Sequence, residues 1–398
     1  MDYICKKINN KNAVVSVPGS KSVTARAMLL AAIADGNSTL YGVSPCDDCF
    51  TFLNCLKNLG INCDLQGDTL KITGCGGKLS VDKAEIDVGS AGTAARFLPA
   101  FLAFQEGKFT VKCSEQMKKR PVAPLVEALK SLGAKITFLE NENCFPMIIE
   151  GGISAYEVDV DVQKSSQFLS ALLISAVCAK KPVKIKRKGA HGMGYVNMTL
   201  DMMWSFGVTV KENGNIYEVF GNYTAKKYDI EPDISAACYF YAMNRLLGTD
   251  IKVKGLMPHS MQSDGKFINL IKTFDGGKID MGSFSDQALT MAACAPFFSK
   301  PTEICGVAHI RGQECDRIAA ICENLKNAGV RCEEQEDGVI IYPSEFNPVR
   351  IKTFGDHRVA MSFAISGLAS EGVVIENAEV CSKTFPRYFE ILDSLWKE

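Results

Sequence analysis

The sequence predicts an α/β protein of six similar units, gathered as two lobes of three around buried inner helices. Three observations predict it: the length of the chain, a repeated helix-to-strand stop, and a repeated alanine-rich helix start. At 398 residues the chain exceeds one ordinary domain and can bury a large core.

The helix-to-strand stop is a short helical run closing on glycine before a strand. It reads Cys55-Leu-Lys-Asn-Leu-Gly60, Ala128-Leu-Lys-Ser-Leu-Gly133, Met202-Met-Trp-Ser-Phe-Gly207 and Asn324-Leu-Lys-Asn-Ala-Gly329. Weaker copies run to Asp275 and through Ile391-Leu-Asp-Ser-Leu-Trp396. Glycine just past a helix end supplies the left-handed cap.

The helix start is a polar opening followed by an alanine-rich apolar run. Copies begin near Ser22, Gly92, Ser166, Ser235, Gln287 and His357, at spacings of 70, 74, 69, 52 and 70 residues. The two patterns keep step, which gives a unit of about 70 residues with two helices and several strands. That is longer than the about 20–50 residues usual for solenoid repeats. The polar stretch Gly221–Tyr228 between the third and fourth copies is the expected boundary.

Composition narrows the function. The 44 basic and 45 acidic side chains nearly cancel, so no global field favours nucleic acid or an anionic membrane. The longest apolar stretch, 168–179, is broken by Ser170 and Ser175 and is too short to span a bilayer. No apolar run follows Lys6 and Lys7 as in a secretory leader, so a cytoplasmic protein is expected. The sixteen cysteines are irregularly spaced, as small core residues in a reducing compartment would be. Cys46-Asp47-Asp48-Cys49 has no second pair at zinc-ribbon spacing, which favours a structural reading over metal or redox chemistry.

The inner helices carry the chemistry. They are apolar nearly all round, which predicts burial, yet their first turns are polar and cationic. Gly19-Ser-Lys21-Ser22 opens the first, with Arg26 one turn on; Ser90-Ala-Gly92-Thr93 opens the second, with Arg96; Ser165-Ser166-Gln167 opens the third. A helix start offers unpaired N–H groups and partial positive charge, which suits phosphate. Serine and threonine there also read as ordinary caps. A cation in a first turn opposes the helix dipole, so Lys21, Arg26 and Arg96 point to an anionic partner. There is no Walker A loop and no GxGxxG fingerprint.

Seven motifs in order complete the reading: Pro18-Gly-Ser-Lys-Ser22, Gly89-Ser-Ala-Gly-Thr93, Lys119-Arg-Pro121, Ser165-Ser-Gln167, Glu314-Cys-Asp-Arg317, Asp356-His-Arg358 and Lys383-Thr-Phe-Pro386. Over almost the whole chain they resemble the 3-phosphoshikimate 1-carboxyvinyltransferase, or EPSP synthase, family. The resemblance implies six βαβαββ units as an inside-out α/β barrel. One lobe would span 18–228, the other 1–17 with 229–398.

It also implies the ligands, shikimate 3-phosphate and phosphoenolpyruvate, with no metal or organic cofactor. Lys21, Ser22, Arg26, Ser165, Ser166, Gln167, Tyr195, Asp286 and Gln313 match the shikimate-phosphate contacts. Lys21, Gly92, Arg120, Gln167, Arg317, Arg358 and Lys383 match the phosphoenolpyruvate contacts, and His357 is given a supporting role. The family's reaction adds the 5-hydroxyl to C2 of phosphoenolpyruvate while C3 takes a proton; phosphate then leaves and C3 loses a proton. Asp286 resembles the base for the hydroxyl, with Glu314, Lys383 and Lys21 as the other catalytic positions. The pathway implied is chorismate and aromatic amino acid synthesis, by a monomer whose lobes close on the substrates.

Read without the family, Asp286 could be an N-cap, and Glu314 with Arg317 a helix-surface ion pair. Three positions depart from the family's pattern. Gln313 stands where lysine is usual, with Arg311 expected to offset the lost cation. Gly192 stands where serine is usual, and Phe97 where many members have proline. Two other functions are carried alongside: a ligand-binding relative without chemistry, and the sister transferase acting on UDP-N-acetylglucosamine. The sister enzyme places a reactive cysteine nearer its arginine than Cys113 stands to Arg120.

Overall fold

The computed structural model describes residues 1–7, 12–120, 122–257 and 259–396. Pro121, part of the Lys119–Pro121 motif, lies outside the described residues. The chain divides into two compact units, one of residues 19–230 and one of residues 1–18 with 231–398.

Unit 19–230 holds three four-stranded sheets of one plan. In each, a parallel pair is followed by two antiparallel neighbours. Lys83–Asp87 pairs in parallel with Lys108–Lys112, which meets Met147–Glu150 and then Lys135–Phe138. Glu157–Asp161, Val183–Lys188, Ile216–Val219 and Lys211–Asn213 repeat that order. So do Lys227–Asp229, Asn37–Tyr41, Thr69–Thr73 and Asn62–Gln66. Strands such as Lys108–Lys112 alternate buried and exposed side chains, the pattern of a sheet with one wet face.

The dry faces cover helices Lys21–Ile33, Ala94–Ala103 and Gln167–Ser175, whose residues are almost all buried. Burial on every side explains why Lys21–Ile33 and Gln167–Ser175 lack an amphipathic stripe. Ala94–Ala103 packs on Gln167–Ser175, and Met193–Ser205 packs on both Lys21–Ile33 and Gln167–Ser175. The outer helices close on glycines with φ of 81° at Gly60, 110° at Gly133 and 94° at Gly207, the left-handed geometry their position requires.

The second unit keeps the plan once in full. Gly277–Asp280, Thr302–Cys305, Gly338–Ile341 and Cys332–Gln335 repeat the four-stranded order. Its other sheets are smaller. Asp250–Val253 pairs with Asn12–Val15, and Tyr3–Ile4 joins Val374–Ile375 and Arg350–Ile351. Helices Ile234–Leu247, Ala288–Cys294 and His357–Ala369 pack on one another as its buried centre. All six sheets among the described residues are open rather than closed on themselves.

The stretch 221–228 is packed rather than a loose linker. The Tyr223 hydroxyl donates to the Ile174 carbonyl at 3.1 Å. Strand Lys227–Asp229 then continues the sheet of Asn37–Tyr41, which keeps the chain with unit 19–230 through Ile230. None of the sixteen cysteines is exposed and none forms a disulfide. No helix among the described residues is long and apolar enough to cross a membrane.

Candidate active site

Each unit carries its own cluster of the sequence-derived residues. In unit 19–230 the cluster forms at the starts of the inner helices. Ser20 caps Lys21–Ile33, its Oγ accepting from the Val23 N–H at 3.4 Å. Lys21 therefore sits in the first turn, where its ammonium meets the Asp48 carboxylate at 3.2 Å. Asp48 lies on helix Asp47–Asn58 and is itself buried. The CxxC segment thus delivers a carboxylate to Lys21.

Arg26 is fully buried and tied down. Its Nε donates to Thr199 Oγ1 at 2.8 Å, and its two terminal nitrogens donate to the Ser22 and Tyr195 carbonyls at 3.0 and 3.2 Å. Its guanidinium also lies 5.2 Å from the centre of the Phe97 ring, a cation–π contact. Phe97 therefore supports Arg26 from below. Burial pushes Arg26 down to about 10, still charged at neutral pH. Arg26 joins Lys21–Ile33 to Met193–Ser205 and brings Ser22 beside Tyr195.

Gly92 and Arg120 come together as the motifs require. A Cβ at Gly92 would lie 3.5 Å from one terminal nitrogen of Arg120 and 3.7 Å from the other. The guanidinium thus lies where a side chain at position 92 would make ordinary van der Waals contact with it. Arg96 donates to the Gly92 carbonyl at 3.5 Å and to Met117 Sδ at 3.1 Å.

Ser165, Ser166 and Gln167 open Gln167–Ser175, and Ser165 Oγ accepts from the Gln167 N–H at 3.3 Å. Gly192 lies against them. Its φ is 65°, and a Cβ there would meet Ser166 Oγ at 2.6 Å. The glycine that departs from the family's pattern therefore leaves room for the Ser166 hydroxyl. Gly192→Ser should cost about 1–3 kcal/mol through left-handed strain and displace Ser166, lowering the urea midpoint without improving shikimate 3-phosphate binding. An unchanged midpoint with tighter binding would contradict this.

The second unit's cluster is a buried charge network. Arg317 opens helix Arg317–Asn327 and is 2% exposed. Its Nε and one terminal nitrogen donate to Asp356 at 2.8 and 3.3 Å. It also reaches Glu314 at 2.9 Å, Asp286 at 3.4 Å and the Gln313 side-chain oxygen. Burial opposes its charge, but the Asp356, Glu314 and Asp286 carboxylates outweigh burial and hold the guanidinium protonated.

Arg358 reaches Asp286 from the other side at 2.7 Å. Asp356 caps His357–Ala369 by accepting from the Arg358 N–H at 2.8 Å. His357 is 1% exposed, with Nδ1 3.7 Å from Asp356. Lys383, at the end of the short helix Ala378–Lys383, lies 3.9 Å from Glu314, both side chains 10% exposed. Asp286, Glu314 and Asp356 thus balance Arg317, Arg358 and Lys383 in a largely dry pocket of side chains.

The geometry differs in detail from the two local readings of Asp286 and Glu314. Gln287, not Asp286, occupies the cap position of Ala288–Cys294. Glu314 precedes helix Arg317–Asn327, and its pair with Arg317 is buried rather than on a helix surface. Gln313 also gains a reason: its carbonyl oxygen accepts from Arg317, which an ammonium could not do. Arg311 does not replace the missing lysine. It donates to Asp316 at 2.9 Å, to Glu334 at 2.8 Å and to the Gln335 carbonyl at 2.7 Å, which draws it to the neighbouring hairpin. Two carboxylates of these clusters were not named as site residues from the sequence. Asp356 had a signal, standing beside His357 and Arg358; Asp48 was masked by the cysteines flanking it.

Known proteins resemble this chain along nearly its whole length. The family model described as EPSP synthase (3-phosphoshikimate 1-carboxyvinyltransferase) matches residues 5–392. A 3-phosphoshikimate 1-carboxyvinyltransferase 2 of Halalkalibacterium halodurans is 38% identical, covering 96% of this chain and 91% of its own. The 3-phosphoshikimate 1-carboxyvinyltransferase of Trichormus variabilis is 36% identical, covering 98% of each chain. Among solved structures, EPSP synthase from Acinetobacter baumannii superposes with a TM-score of 0.83 at 22% identity, covering 99% of this chain and 98% of that one. That likeness speaks for the α/β fold, and the sequence matches speak for descent. With the motifs in order and the fold shared along its length, the chain belongs to the EPSP synthase (3-phosphoshikimate 1-carboxyvinyltransferase) family.

Proposed function

We propose that this chain transfers the enolpyruvyl group of phosphoenolpyruvate to the 5-hydroxyl of shikimate 3-phosphate, releasing phosphate, in chorismate and aromatic amino acid synthesis. The observation that carries the reading is the buried network of Asp286, Glu314, Arg317, Arg358 and Lys383 in a chain of this family.

Asp286 takes the hydroxyl proton. It is pinned by two guanidiniums that also suit carboxylate and phosphate oxygens. A bound anion would draw Arg317 and Arg358 to its own oxygens and leave an Asp286 oxygen to accept from the hydroxyl. Glu314 and Lys383 exchange the proton at C3, a carboxylate and an ammonium already close. Arginines in a dry site stabilise the charge that develops as phosphate leaves. Lys21, Ser22, Arg26, Ser165, Ser166, Gln167, Tyr195 and Gln313 serve shikimate 3-phosphate; Gly92 and Arg120, with Lys21 and Gln167, serve phosphoenolpyruvate. His357 has a supporting role.

The fold reading extends with it: six βαβαββ units, three in each lobe, with lobes at 18–228 and at 1–17 with 229–398. Four sheets of one plan support this. The sister activity on UDP-N-acetylglucosamine is disfavoured at Cys113. Burial pushes that thiol up to about 11, whereas a reactive cysteine needs its thiolate.

The test is phosphate release from phosphoenolpyruvate, with and without shikimate 3-phosphate. Release that depends on shikimate 3-phosphate is expected. Saturable binding of both compounds without release would replace the enzyme with a binding protein.

A further inference from the structure

One buried carboxylate beside this network has no place in the mechanism. Asp264 is 2% exposed. Its Oδ2 accepts from Ser235 Oγ, on helix Ile234–Leu247, and from Gln287 Nε2 at 2.9 Å. Its Oδ1 is buried with no hydrogen-bond partner. Gln287 is the residue after Asp286, fully buried in the turn Ser285–Gln287. Its other amide atom accepts from Thr290 at 3.1 Å, and Thr290 lies 3.2 Å from Ser362. One polar chain therefore runs from Asp264 through Gln287 to helices Ala288–Cys294 and His357–Ala369.

A buried, half-satisfied carboxylate is costly. An apolar residue or an amide would make a more stable core, so the charge needs a reason. Bonds to an ionised acceptor are roughly twice as strong as neutral ones. Here the acceptor holds the side chain adjoining the proposed base.

We infer that Asp264 is a positioning residue: through Gln287 it fixes the turn that carries Asp286 and so aims the base. The inference rests on the function proposed above. The titratable and charged groups facing its carboxyl are Asp286 on the turn, Arg358 at the start of His357–Ala369, and the Cys238 thiol on Ile234–Leu247. Burial, then the Asp286 charge, push Asp264 up to about 6, against the pull of Arg358 and the Ser235 and Gln287 bonds. Below that pH the carboxyl takes a proton and its grip on Gln287 becomes a neutral bond.

The sign for stability follows. Asp264 binds its proton more tightly folded than unfolded, so its contribution to stability is present at low pH and lost as pH rises through about 6. A residue kept only for structure would not be one whose ionisation weakens the fold at working pH.

The experiment measures shikimate 3-phosphate-dependent phosphate release across pH for the wild type, Asp264→Asn and Ser235→Ala, with thermal melts. In the wild type, kcat should fall toward acid with a midpoint near that of Asp264. Asp264→Asn should lower kcat on the order of 10²-fold, the scale of a misaimed group, leave KM within about threefold, and abolish the limb that has Asp264's midpoint, leaving the limb of the base itself. Its Tm should equal or exceed the wild type's at about pH 8, the gap narrowing toward acid. Ser235→Ala removes a donor to the ionised form, so the acid limb should move to higher pH while kcat on the alkaline side is kept.

Wild-type kcat in Asp264→Asn, or a limb that persists there at an unmoved midpoint, overturns the inference while leaving the proposed function standing. A lower Tm at every pH with kcat and KM impaired together also overturns it, as a merely structural role. If Asp264→Asn does not fold, Ser235→Ala decides, and an unmoved limb overturns the inference. A wild type without release sinks the proposed function and this inference with it.

Discussion

Replacing Arg317 with methionine should destabilise the protein by about 3–5 kcal/mol, the cost of stripping one partner from a buried ion network, and raise the KM for phosphoenolpyruvate. Methionine keeps the volume and removes the charge, which leaves Asp356, Glu314 and Asp286 facing one another with two cations between them. Asp356 loses most, since it is fully buried and takes two bonds from Arg317. Arg317→Lys restores charge but not the fork, and should recover only part of the loss. Urea unfolding gives the stability and steady-state kinetics give the KM. A midpoint within error of the wild type would mean the network is not built as described.

Replacing Asp286 with alanine should act on rate instead. The general base contributes about 10²- to 10⁴-fold, so kcat should fall by that range while the binding of shikimate 3-phosphate changes little. Arg317 keeps Asp356 and Glu314 as partners, so the fold should survive. Isothermal titration alongside single-turnover chemistry separates the two effects. A retained kcat would remove Asp286 from the mechanism.

The helices were legible in the sequence because their signals are local. The polar starts near Ser22, Gly92, Ser166, Ser235, Gln287 and His357 coincide within two residues with inner helices, or the short turn leading into one. The glycine stops coincide with the ends of outer helices, and Gly329 has a positive φ, 79°, like its counterparts. Side-chain partners were less legible, because a partner is set by packing between distant segments. Arg311 was expected to offset Gln313 since it is near in sequence, but the hairpin at 332–341 claims it. Asp264 and Asp48 carried no local mark, one lying before a seven-residue helix and the other inside a cysteine pair. Gly192 was readable as an oddity, but its reason, the nearby Ser166 hydroxyl, appears only in three dimensions.

Among the described residues, strand Asn12–Val15 finds its one sheet partner in Asp250–Val253. On a ribosome adding about 5–20 residues per second, that partner emerges on the order of ten to fifty seconds after the strand itself. All of residues 19–230 are translated in between and can complete their own sheets first. The nascent protein therefore carries an unsatisfied β-edge throughout that interval, a period in which chaperone capture or pairing with a neighbouring nascent chain competes with correct assembly.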